Sequence, residues 1–345
     1  MVTLREVAKI AGVSVSTASM ALNGSERISS KTREKVFEVA ERLGYIPNSL
    51  AIHLVTKRTQ TIGVFVAEIV NPYHATLVRC VREELYRRGY RMYLGITGGD
   101  SKVEERMLRD FIALRVDGVL IHTADIVGFS FPTFYELARR KVPTVLVGES
   151  IEGLPLPVVE IRLEKGMYEL TRYLISQGYR YFLLLSGKKG VATFKKRIDG
   201  FQRALVESNP LIQGYDVIET SPDFAGGYES IFRIVKKGSC IPYDVVMCVN
   251  DYMASGVLKA LRELGIRVPK RIGVTGFDDV FLASVVSVPL TTVRIPIDQL
   301  VAKSVDLLFR QLDAADEPWV ALSHLEYVDV ETVVRQSTRY LNSPT

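Results

Sequence analysis

The first residues of the chain show the apolar periodicity of a short helix. Leu4, Val7, Ala8 and Ala11 follow the spacing i, i+3, i+4, i+7, which places them on one face of a helix. Gly12 comes next, and glycine readily takes the left-handed conformation that ends a helix and redirects the chain. The pattern therefore predicts a first helix followed by a tight turn.

Two further helices are predicted after this turn. Ser14 is placed to cap a second helix, which Asn23-Gly24 ends. The inner face of the second helix consists of Ala18, Ala21 and Leu22. A third helix begins after Ser29 or Ser30, and its apolar positions are Val36, Val39, Ala40 and Leu43. Two short helices joined by a glycine-containing turn, with a third that closes the core, form a helix-turn-helix unit.

The second helix of such a unit lies in the major groove of DNA, with its N-terminal residues at the base edges. The predicted DNA-facing residues are Val15, Ser16, Thr17, Ser19 and Met20. Hydroxyl groups can donate to phosphates or bases, and apolar side chains can contact thymine methyl groups. The alternative is a small helical bundle with Val15 and Met20 in its core, but two alanines and a leucine already define the inner face.

The pattern changes from Thr61 onward to short apolar strands that alternate with amphipathic stretches of helix length. The predicted strands are Ile62–Ala67, Arg91–Ile96, Gly118–His122, Thr144–Val147, Tyr181–Ser186, Val217–Glu219, Val245–Val249 and Ile272–Gly276. The predicted helices include His74–Arg88, Glu164–Gln177, Lys195–Val206 and Met253–Leu264. This alternation predicts parallel sheets with right-handed crossovers. A first cluster of strands ends near Ile161, so two lobes are expected, with ligands in the cleft between them.

The composition of the 345 residues, 47% hydrophobic and 24% charged, is that of an ordinary globular protein. The apolar runs are too short to span a bilayer, and no secretion signal is recognisable at the N-terminus. Cys80, Cys240 and Cys248 do not form a CxxC pair, which favours reduced thiols. We therefore expect a cytoplasmic protein, associated with the nucleoid, without a membrane partner.

The positive charge is concentrated at the N-terminus. The first sixty residues contain nine basic and five acidic side chains, a net charge of +4 out of +5 for the whole chain. A small segment with this excess is suited to a polyanion such as DNA. The common alternative is a basic face that only contacts solvent.

The sequence lacks the patterns that accompany catalysis. It has no GxGxxG after a strand, no P-loop, no GxSxG and no HExxH. The four histidines, His53, His74, His122 and His324, do not have metal-ligand spacing, and the Asp278-Asp279 pair is equally suited to capping a loop. We therefore predict no catalytic residue, no metal site and no cofactor.

The segment TLREVAKIAGVSVSTASMALNG, which begins at Thr3, resembles the N-terminal motif of the lactose repressor–galactose repressor (LacI/GalR) family. The body segments IVNPYH, KKRIDGFQRAL, VNDYMASGVLKAL, VPKRIGVTGFDD and PLTTVRIP resemble the same family in the same order. The resemblance implies an all-α helix-turn-helix head and a two-lobed α/β body like a periplasmic binding protein, with parallel doubly wound sheets. The implied divisions are the head 1–46, a hinge helix or linker 47–60, and the body 61–345. Within the body, the N-lobe comprises 61–161 and 290–320, and the C-lobe comprises 162–289 and 321–345.

The resemblance also implies DNA contacts outside the second helix. Leu54 matches the leucine that the family's paired hinge helices insert at a base step in the minor groove, and Ala51 matches the small residue between the hinges. Met20 and Ile52 stand where the family often has arginine, so a different operator base and one fewer phosphate contact are expected. The alternative is a polar linker with an incidental leucine.

The resemblance implies an effector pocket in the cleft, formed by Tyr73, His74, His122, Glu149, Thr193, Arg197, Phe224, Asn250 and Asp278. An arginine and a carboxylate together bind vicinal hydroxyl groups, which favours a sugar or polyol. Val191 replaces the arginine with which the purine-responsive family member recognises its base, so a purine is disfavoured. Taken singly, these residues also have structural interpretations: Phe224 as core, Asn250 and Asp278 as helix caps, Arg197 as an exposed helix residue.

Together these features predict a transcriptional repressor whose homodimer binds near-palindromic operator DNA with an affinity set by a small-molecule effector. A solute-binding protein shares the lobed body, but it should have a secretion signal and no basic helical head. An enzyme on the same α/β scaffold is the second alternative, and it should turn over a bound small molecule.

Overall fold

The computed structural model divides the chain into two units, Met1–Thr59 and Gln60–Thr345. It describes residues 2–22, 25, 27–45, 58–122, 131–151, 153–237, 241–314 and 324–338. Ala51 and Leu54, the two residues expected to act in the hinge, lie outside these ranges, as does Cys240. Cys80 and Cys248 are buried free cysteines. None of the described helices is both long and apolar enough to cross a membrane.

The N-terminal unit contains the three predicted helices. They are α1 (Leu4–Ala11), α2 (Val15–Leu22) and α3 (Ser30–Arg42). Thr3 and Glu6 form a capping box at the start of α1, because each side chain accepts a hydrogen bond from the backbone amide of the other residue. Gly12 ends α1 with φ 68°, and the Ser14 hydroxyl then caps α2 by accepting from the amide of Thr17 at 3.0 Å.

The core of this unit is built from small and β-branched side chains. Its buried residues are Val7, Ala8, Ala11, Ala18, Ala21, Val36, Val39 and Ala40. Ala18 and Ala21 are fully buried, so the predicted inner face of α2 is the observed one, with Leu22 partly buried against the same core. The side chains of alanine are small, which allows α2 to pack closely against α1 and α3.

The second unit alternates strands and helices, as its sequence pattern predicts. Its first strands are β1 (Thr61–Val66), β2 (Arg91–Ile96), β3 (Gly118–His122), β4 (Thr144–Gly148), β5 (Val158–Ile161) and β6 (Tyr181–Ser186). The others are β7 (Gly214–Glu219), β8 (Val245–Cys248), β9 (Gly273–Thr275), β10 (Thr292–Arg294), β11 (Leu325–Val328) and β12 (Glu331–Val333). The helices are α4 (Pro72–Arg87), α5 (Ser101–Ala113), α6 (Phe131–Arg139), α7 (Leu163–Ser176), α8 (Ala192–Glu207), α9 (Phe224–Lys237), α10 (Asp251–Glu263), α11 (Phe281–Val285) and α12 (Ile297–Asp313).

Two parallel sheets define two lobes. The N-lobe sheet has the strand order β11-β5-β4-β3-β1-β2, and the C-lobe sheet has the order β7-β6-β8-β9. Every pair of neighbours in these two sheets is parallel. Strands β10 and β12 form a separate antiparallel pair. The doubly wound architecture that the resemblance implies is therefore confirmed.

The structure corrects the expected division of the tail. Residues from 321 onward were expected in the C-lobe, but β11 pairs with β5 at the edge of the N-lobe sheet. The chain reaches the C-lobe only after Val328, where β12 pairs with β10 and Ser337 bonds to Val274. The short strand β11 adds one more strand to a parallel sheet that would otherwise end at β5. This pairing places the first part of the tail in the N-lobe.

Three connections join the lobes. Within the described ranges, the chain passes from β5 to α7, from β10 to α12, and from β11 to β12. Residues from 290 onward were expected in the N-lobe, but Thr291 and Arg294 bridge to Thr275 and Asp278 of the C-lobe, so the chain returns to the N-lobe only with α12. Because Ile161, Leu163 and Ile295 belong to these connections and also line the space between the lobes, the connections lie beside that space.

Candidate effector site and DNA-binding helix

A cavity of about 250 Å³ lies between the two lobes, at the carboxyl ends of the parallel strands. Eight of the nine predicted effector-binding residues line it: Tyr73, His74, His122, Glu149, Thr193, Arg197, Asn250 and Asp278. This is the position where open α/β sheets bind ligands. The structure therefore gathers residues that are up to about two hundred positions apart in the sequence.

The start of α4 carries two of the N-lobe residues. Asn71 caps this helix by accepting a hydrogen bond from the backbone amide of Tyr73 at 3.0 Å, and Pro72 occupies the first helical position. This cap places Tyr73 and His74 at the start of the helix that follows β1. His122 is the last residue of β3 and Glu149 follows β4, so all four side chains come from adjacent strand ends.

Three aromatic rings form one wall of the cavity. The ring centroids of Tyr73, His74 and His122 are 5.3–5.5 Å apart, in tilted or edge-to-face arrangements. His74 Nδ1 lies 2.8 Å from the carboxylate of Glu68 at the cavity wall. Burial alone would raise the pKa of Glu68, but hydrogen bonds from His74 and from the backbone amides of Asn71 and Val70 lower it. Glu68 is therefore ionised and orients His74.

His122 is held as a neutral ring. Its Nδ1 lies 2.8 Å from the carbonyl oxygen of Val147, which can only accept, so Nδ1 carries the hydrogen. Burial, reinforced by His74, lowers the pKa of His122 to about 3 against the opposing effect of the Val147 carbonyl. Nε2 consequently has a free lone pair, and it has no hydrogen-bond partner among the described residues. It is an unsatisfied acceptor on a residue that lines the cavity.

The C-lobe supplies an arginine–carboxylate pair. Arg197 Nη2 lies 3.3 Å from Asp278 Oδ1, and the side chains are 10% and 5% exposed. The guanidinium group of Arg197 also lies over the ring of Phe277, 4.4 Å from its centroid. Burial raises the pKa of Asp278 to about 7, although the positive charge of Arg197 opposes this shift. Arg197 Nε lacks a partner within the described structure, so it is a donor that remains free for a ligand.

Glu149 is shared between the cavity and an ion pair. Its Oε1 accepts a hydrogen bond from Lys196 Nζ at 2.6 Å, whereas Oε2 is buried without a partner in the described part of the chain. Burial raises the pKa of Glu149, and Lys196 opposes that shift. One oxygen of this carboxylate is therefore available to accept from a ligand.

Asn250 lines the cavity but has a structural role in this state. Its Oδ1 accepts from the backbone amide of Met253 at 2.7 Å and caps α10, and its Nδ2 donates to the carbonyl of Pro222 at 2.8 Å. The interpretation as a helix cap is thus supported by geometry. A ligand could still use the remaining lone pair of Oδ1 or the second hydrogen of Nδ2.

Phe224 is the one predicted effector residue that the structure does not bring to the cavity. It begins α9, where its ring is stacked with Tyr228 at 6.1 Å and tilted against Tyr252 at 6.3 Å. The aromatic ring that lines the cavity from this lobe is Phe194. Phe194 precedes Arg197 by three positions on α8, so the two side chains lie on the same face of the helix. This i, i+3 spacing is the sequence feature that indicates Phe194 as a cavity residue.

The sequence motifs did not indicate three further residues of this region: Glu68, Asn71 and Lys196. Glu68 and Asn71 lie between β1 and α4, just before the predicted residues Tyr73 and His74. Lys196 carried no signal of its own, because its two partners come from the other lobe.

Four buried polar atoms around the cavity lack partners among the described residues: Tyr73 Oη, His122 Nε2, Glu149 Oε2 and Arg197 Nε. Unsatisfied buried polar groups cost free energy, and a ligand that satisfies them recovers it. His122 and Glu149 require donors on the ligand, and Arg197 requires an acceptor. No group of three or more His, Cys, Asp or Glu side chains in the described ranges could hold a metal ion.

The predicted DNA-facing residues lie on the outer side of α2. Val15 and Ser16 are exposed, and Thr17, Ser19 and Met20 are half-buried. The hydroxyl groups of Ser16 and Thr17 each lie 2.8 Å from the Ser14 hydroxyl, so the start of the helix is a connected set of polar groups. The unit also exposes basic side chains on the other two helices: Arg5, Lys9, Lys31 and Lys35. A polar helix N-terminus among basic side chains is suited to a DNA groove.

Comparisons with known proteins agree with both units. Residues 3–48 match the model of the bacterial regulatory proteins of the lacI family, and residues 171–338 match a periplasmic binding protein-like domain. The HTH-type transcriptional regulator DegA of Bacillus subtilis (strain 168) is 30% identical over 341 residues, which cover 99% of each protein. The HTH-type transcriptional repressor PurR of Glaesserella parasuis serovar 5 (strain SH0165) is 32% identical over 348 residues, which cover 99% of this chain and 100% of that protein.

Solved structures share the fold over the same length. The lac repressor dimer bound to operator and the anti-inducer ONPF has a TM-score of 0.83 at 24% identity, covering 98% of this chain and 99% of that one. A complex of the transcriptional regulator CelR with cellobiose has a TM-score of 0.69 at 26% identity, covering 98% and 100%. The chain therefore belongs to the LacI family, and it is a DNA-binding transcriptional regulator under small-molecule control rather than an enzyme.

Proposed function

We propose that the effector is an uncharged, monosaccharide-sized sugar or polyol that binds in the cavity between the lobes. The observation that carries the proposal is the set of unpartnered atoms on Tyr73, His122, Glu149 and Arg197. A hydroxyl group both donates and accepts, so neighbouring hydroxyls of one small molecule can satisfy donors and acceptors together. The cavity, at about 250 Å³, is smaller than the range of about 300–1,000 Å³ that is usual for ligand pockets. A single sugar ring is the appropriate size.

The charges around the cavity favour an uncharged ligand. Asp278 is balanced by Arg197, and Lys196 is balanced by Glu149 and Glu160, so neither Arg197 nor Lys196 is an unpaired cation for a phosphate or carboxylate. Val191, at the start of α8, offers only an apolar side chain, in keeping with the expectation against a purine. Phe194 supplies an apolar surface for the C–H groups of a sugar ring.

Ligands of similar proteins support this class. The CelR structure contains cellobiose, and a LacI family regulator from Enterococcus faecium, 26% identical with a TM-score of 0.70 over 81% of this chain and 98% of that one, was solved with bound ribose. Both ligands are sugars. We extend only the chemical class, not either identity, to this chain.

We further propose that the protein represses transcription as a homodimer on a near-palindromic operator. Two copies of α2 would enter successive major grooves, with Val15, Ser16, Thr17, Ser19 and Met20 at the base edges. The hinge would extend over residues 47–60 and pair in the minor groove between them. The similarity in fold to the lac repressor dimer supports this assembly. Because its target is chromosomal DNA, the protein acts in the cytoplasm under this proposal.

The sugar would act by shifting a population of conformations. If it binds one arrangement of the lobes more tightly, it favours that arrangement and thereby decides whether the hinges can pair. We propose that the sugar releases the protein from its operator. A ligand that bound both arrangements equally would have no effect on DNA affinity.

Two measurements test the proposal. A thermal-shift screen of neutral monosaccharides and polyols, with sugar phosphates and sugar acids as matched anionic controls, should raise the melting temperature for at least one neutral compound and for none of the controls. The hit should remain chemically unchanged after prolonged incubation. Stabilisation by anionic compounds alone would contradict the ligand class.

The second measurement concerns DNA. Selection of duplexes from a random library should return sequences with a two-fold repeat, and addition of the hit from the screen should weaken binding to them. Recovery of sequences without a repeat, or of no preferred sequence with or without sugars, would contradict the assignment of an operator-binding dimer.

A further inference from the structure

Lys196 connects the two lobes. It lies on α8 of the C-lobe, and its Nζ is 2.6 Å from Glu149 Oε1 and 3.4 Å from Glu160 Oε2. Glu149 follows β4 and Glu160 belongs to β5, so both carboxylates belong to the N-lobe. We refer to the contact of Lys196 with Glu149 and Glu160 as the interlobe ion pair. It crosses the cleft beside the cavity, whose lining includes Glu149.

The two carboxylates depend on this lysine because they are close together and nearly removed from water. The side chains of Glu149 and Glu160 are 3% and 12% exposed, whereas that of Lys196 is 33% exposed. Burial is the main cause that raises the pKa of Glu149, Lys196 opposes this shift, and repulsion from Glu160 adds a smaller increase. Two adjacent buried charges of the same sign repel strongly where the dielectric constant is low. Without the ammonium group, the N-lobe would retain this repulsion at the cleft.

The geometry of the ion pair also orients Glu149 for a ligand. Lys196 holds Oε1, and Oε2 of the same carboxyl group is buried without a partner in the described structure at the cavity wall. Glu160 is fixed separately, because its Oε1 accepts from the backbone amide of Ser150 at 3.2 Å. Any ligand hydroxyl that bonds Glu149 Oε2 therefore contacts a group that is already attached to the other lobe.

We propose that Lys196 is a positioning residue that holds the two lobes in the arrangement of this structure and aims Glu149 into the effector cavity. The ligand then acts on an ion pair that spans the cleft, rather than on one lobe alone. This inference rests on the proposed effector cavity, but its test requires neither a sugar nor an operator. Its failure can thus be distinguished from failure of the proposed function.

The test is hydrogen–deuterium exchange by mass spectrometry on the full-length protein without added ligand. Lys196→Met retains most of the unbranched apolar part of the side chain and removes the ammonium group with its charge. We expect amide exchange in peptides covering residues 144–161 and 192–198 to accelerate by about tenfold or more, because loss of the ion pair lets the cleft open. Peptides from β7, at the far edge of the C-lobe sheet, should be unchanged.

The adjacent residue provides the matched control. Lys195 is 67% exposed and pairs with Asp199 on the same helix at 2.7 Å, so Lys195→Met removes the same charge without affecting the cleft. It should leave exchange at the cleft unchanged. Equal exchange in the Lys196→Met and Lys195→Met variants would overturn the proposal.

Two further variants separate electrostatics from packing and from misfolding. Lys196→Arg should retain the protection, because it restores the charge. Adding Glu160→Gln to Lys196→Met should recover much of the lost protection, because it removes the repulsion between the carboxylates. If the double variant exchanges as fast as Lys196→Met, or if the loss is spread evenly over the whole chain, the residue has only a structural role.

Discussion

His122 shows how a single buried side chain acquires a fixed hydrogen-bonding role. The carbonyl of Val147 determines which ring nitrogen carries the hydrogen, and burial keeps the ring neutral. His122 therefore accepts at Nε2 and cannot donate there. Asp278 differs, because burial raises its pKa to about 7 and its protonation changes near neutral pH. A fall in pH therefore reduces the contribution of His122 to stability, whereas a rise in pH through 7 reduces that of Asp278.

We predict that His122 makes the protein less stable in acid. Its pKa is about 3 in the folded state and about 6.5 in the unfolded state, so its contribution to stability is fully present above pH 6.5 and is lost as the pH falls toward 3. The associated slope approaches about 1.4 kcal/mol per pH unit. His122→Gln, which cannot titrate, should reduce the dependence on pH of the free energy of unfolding, measured by urea denaturation between pH 6.5 and 4.5. Identical slopes in the wild type and the His122→Gln variant would contradict a buried neutral His122. The opposite contribution of Asp278 is present in both proteins and therefore cancels.

Arg197 is predicted to be essential for the response to the effector. Arg197→Ala removes the free Nε donor and the partner of Asp278, so the sugar identified by the screen should no longer raise the melting temperature. Arg203→Ala is the control, because Arg203 lies on the same helix with its side chain 47% exposed and pairs with Glu164. A normal shift in Arg197→Ala would remove this residue from the site. Unfolding of the variant is assessed by its circular dichroism spectrum.

Sequence motifs predict most of the side chains around the cavity, but not all of them. Eight side chains of the cavity follow from the family motifs, because strand ends and the helices that follow them converge at the carboxyl edge of parallel sheets. Phe224 does not line the cavity, and the pattern cannot tell whether an aromatic residue on α8 or on α9 faces the cleft. Lys196 could not be predicted, since its function depends on two carboxylates that belong to the other lobe.

Helix α8 carries Phe194, Lys196 and Arg197, so its position determines the C-lobe side of the site. It packs closely against α7, and Gly200 makes that approach possible. A Cβ at residue 200 would lie 2.1 Å from the carbonyl oxygen of Glu164. The backbone of α7 cannot move aside as a flexible side chain can.

We predict that Gly200→Ala lowers stability by about 1–3 kcal/mol, because the added methyl group forces α7 and α8 apart. Thermal unfolding measures this effect. Gly190→Ala is the matched control, because a Cβ there has no neighbour within 4 Å and the residue does not require a positive φ. If both variants melt at the same temperature, the two helices have more freedom than this packing allows.

Elements with strong periodicity were predicted closely, and short ones were not. The predicted β2, β3 and β6 have the observed bounds, because each is an uninterrupted run between polar turns. Strands β5, β10, β11 and β12 were not predicted, since runs of three or four residues do not show a period. Their pairing is decided by the rest of the sheet, which is why the tail was assigned to the wrong lobe up to Val328.

The family resemblance of the hinge segment leads to a prediction for Leu54. Leu54→Ala should weaken specific operator binding by about tenfold or more, because insertion of this side chain at a base step, as the resemblance implies, would stabilise a kinked duplex. Non-specific binding depends on phosphate contacts and should change little at the same salt concentration. Titrations of the selected operator and of a scrambled duplex measure the two affinities. Unchanged operator affinity would exclude a minor-groove role for this leucine.

At the scale of the whole molecule, regulation is a coupling between two binding sites. The cavity proposed to bind the effector lies within the second unit, whereas helix α2, proposed to contact DNA, belongs to the first. Thermodynamic linkage requires that the sugar and the operator change each other's affinity by the same factor. This requirement holds whatever path carries the signal.

We predict that this reciprocity will be observed and that it depends on the interlobe ion pair. If the sugar weakens operator binding twentyfold, about 1.8 kcal/mol, the operator should weaken sugar binding by the same factor. Isothermal titration of the sugar with and without bound operator, and of the operator with and without sugar, measures both directions.

In Lys196→Met both coupling factors should fall toward one, although each ligand still binds. The reason is that the sugar then contacts a carboxylate that is no longer attached to the opposite lobe. Lys195→Met should retain the wild-type factors. Full coupling in Lys196→Met would mean that the signal reaches the DNA-binding helices through the lobe connections alone.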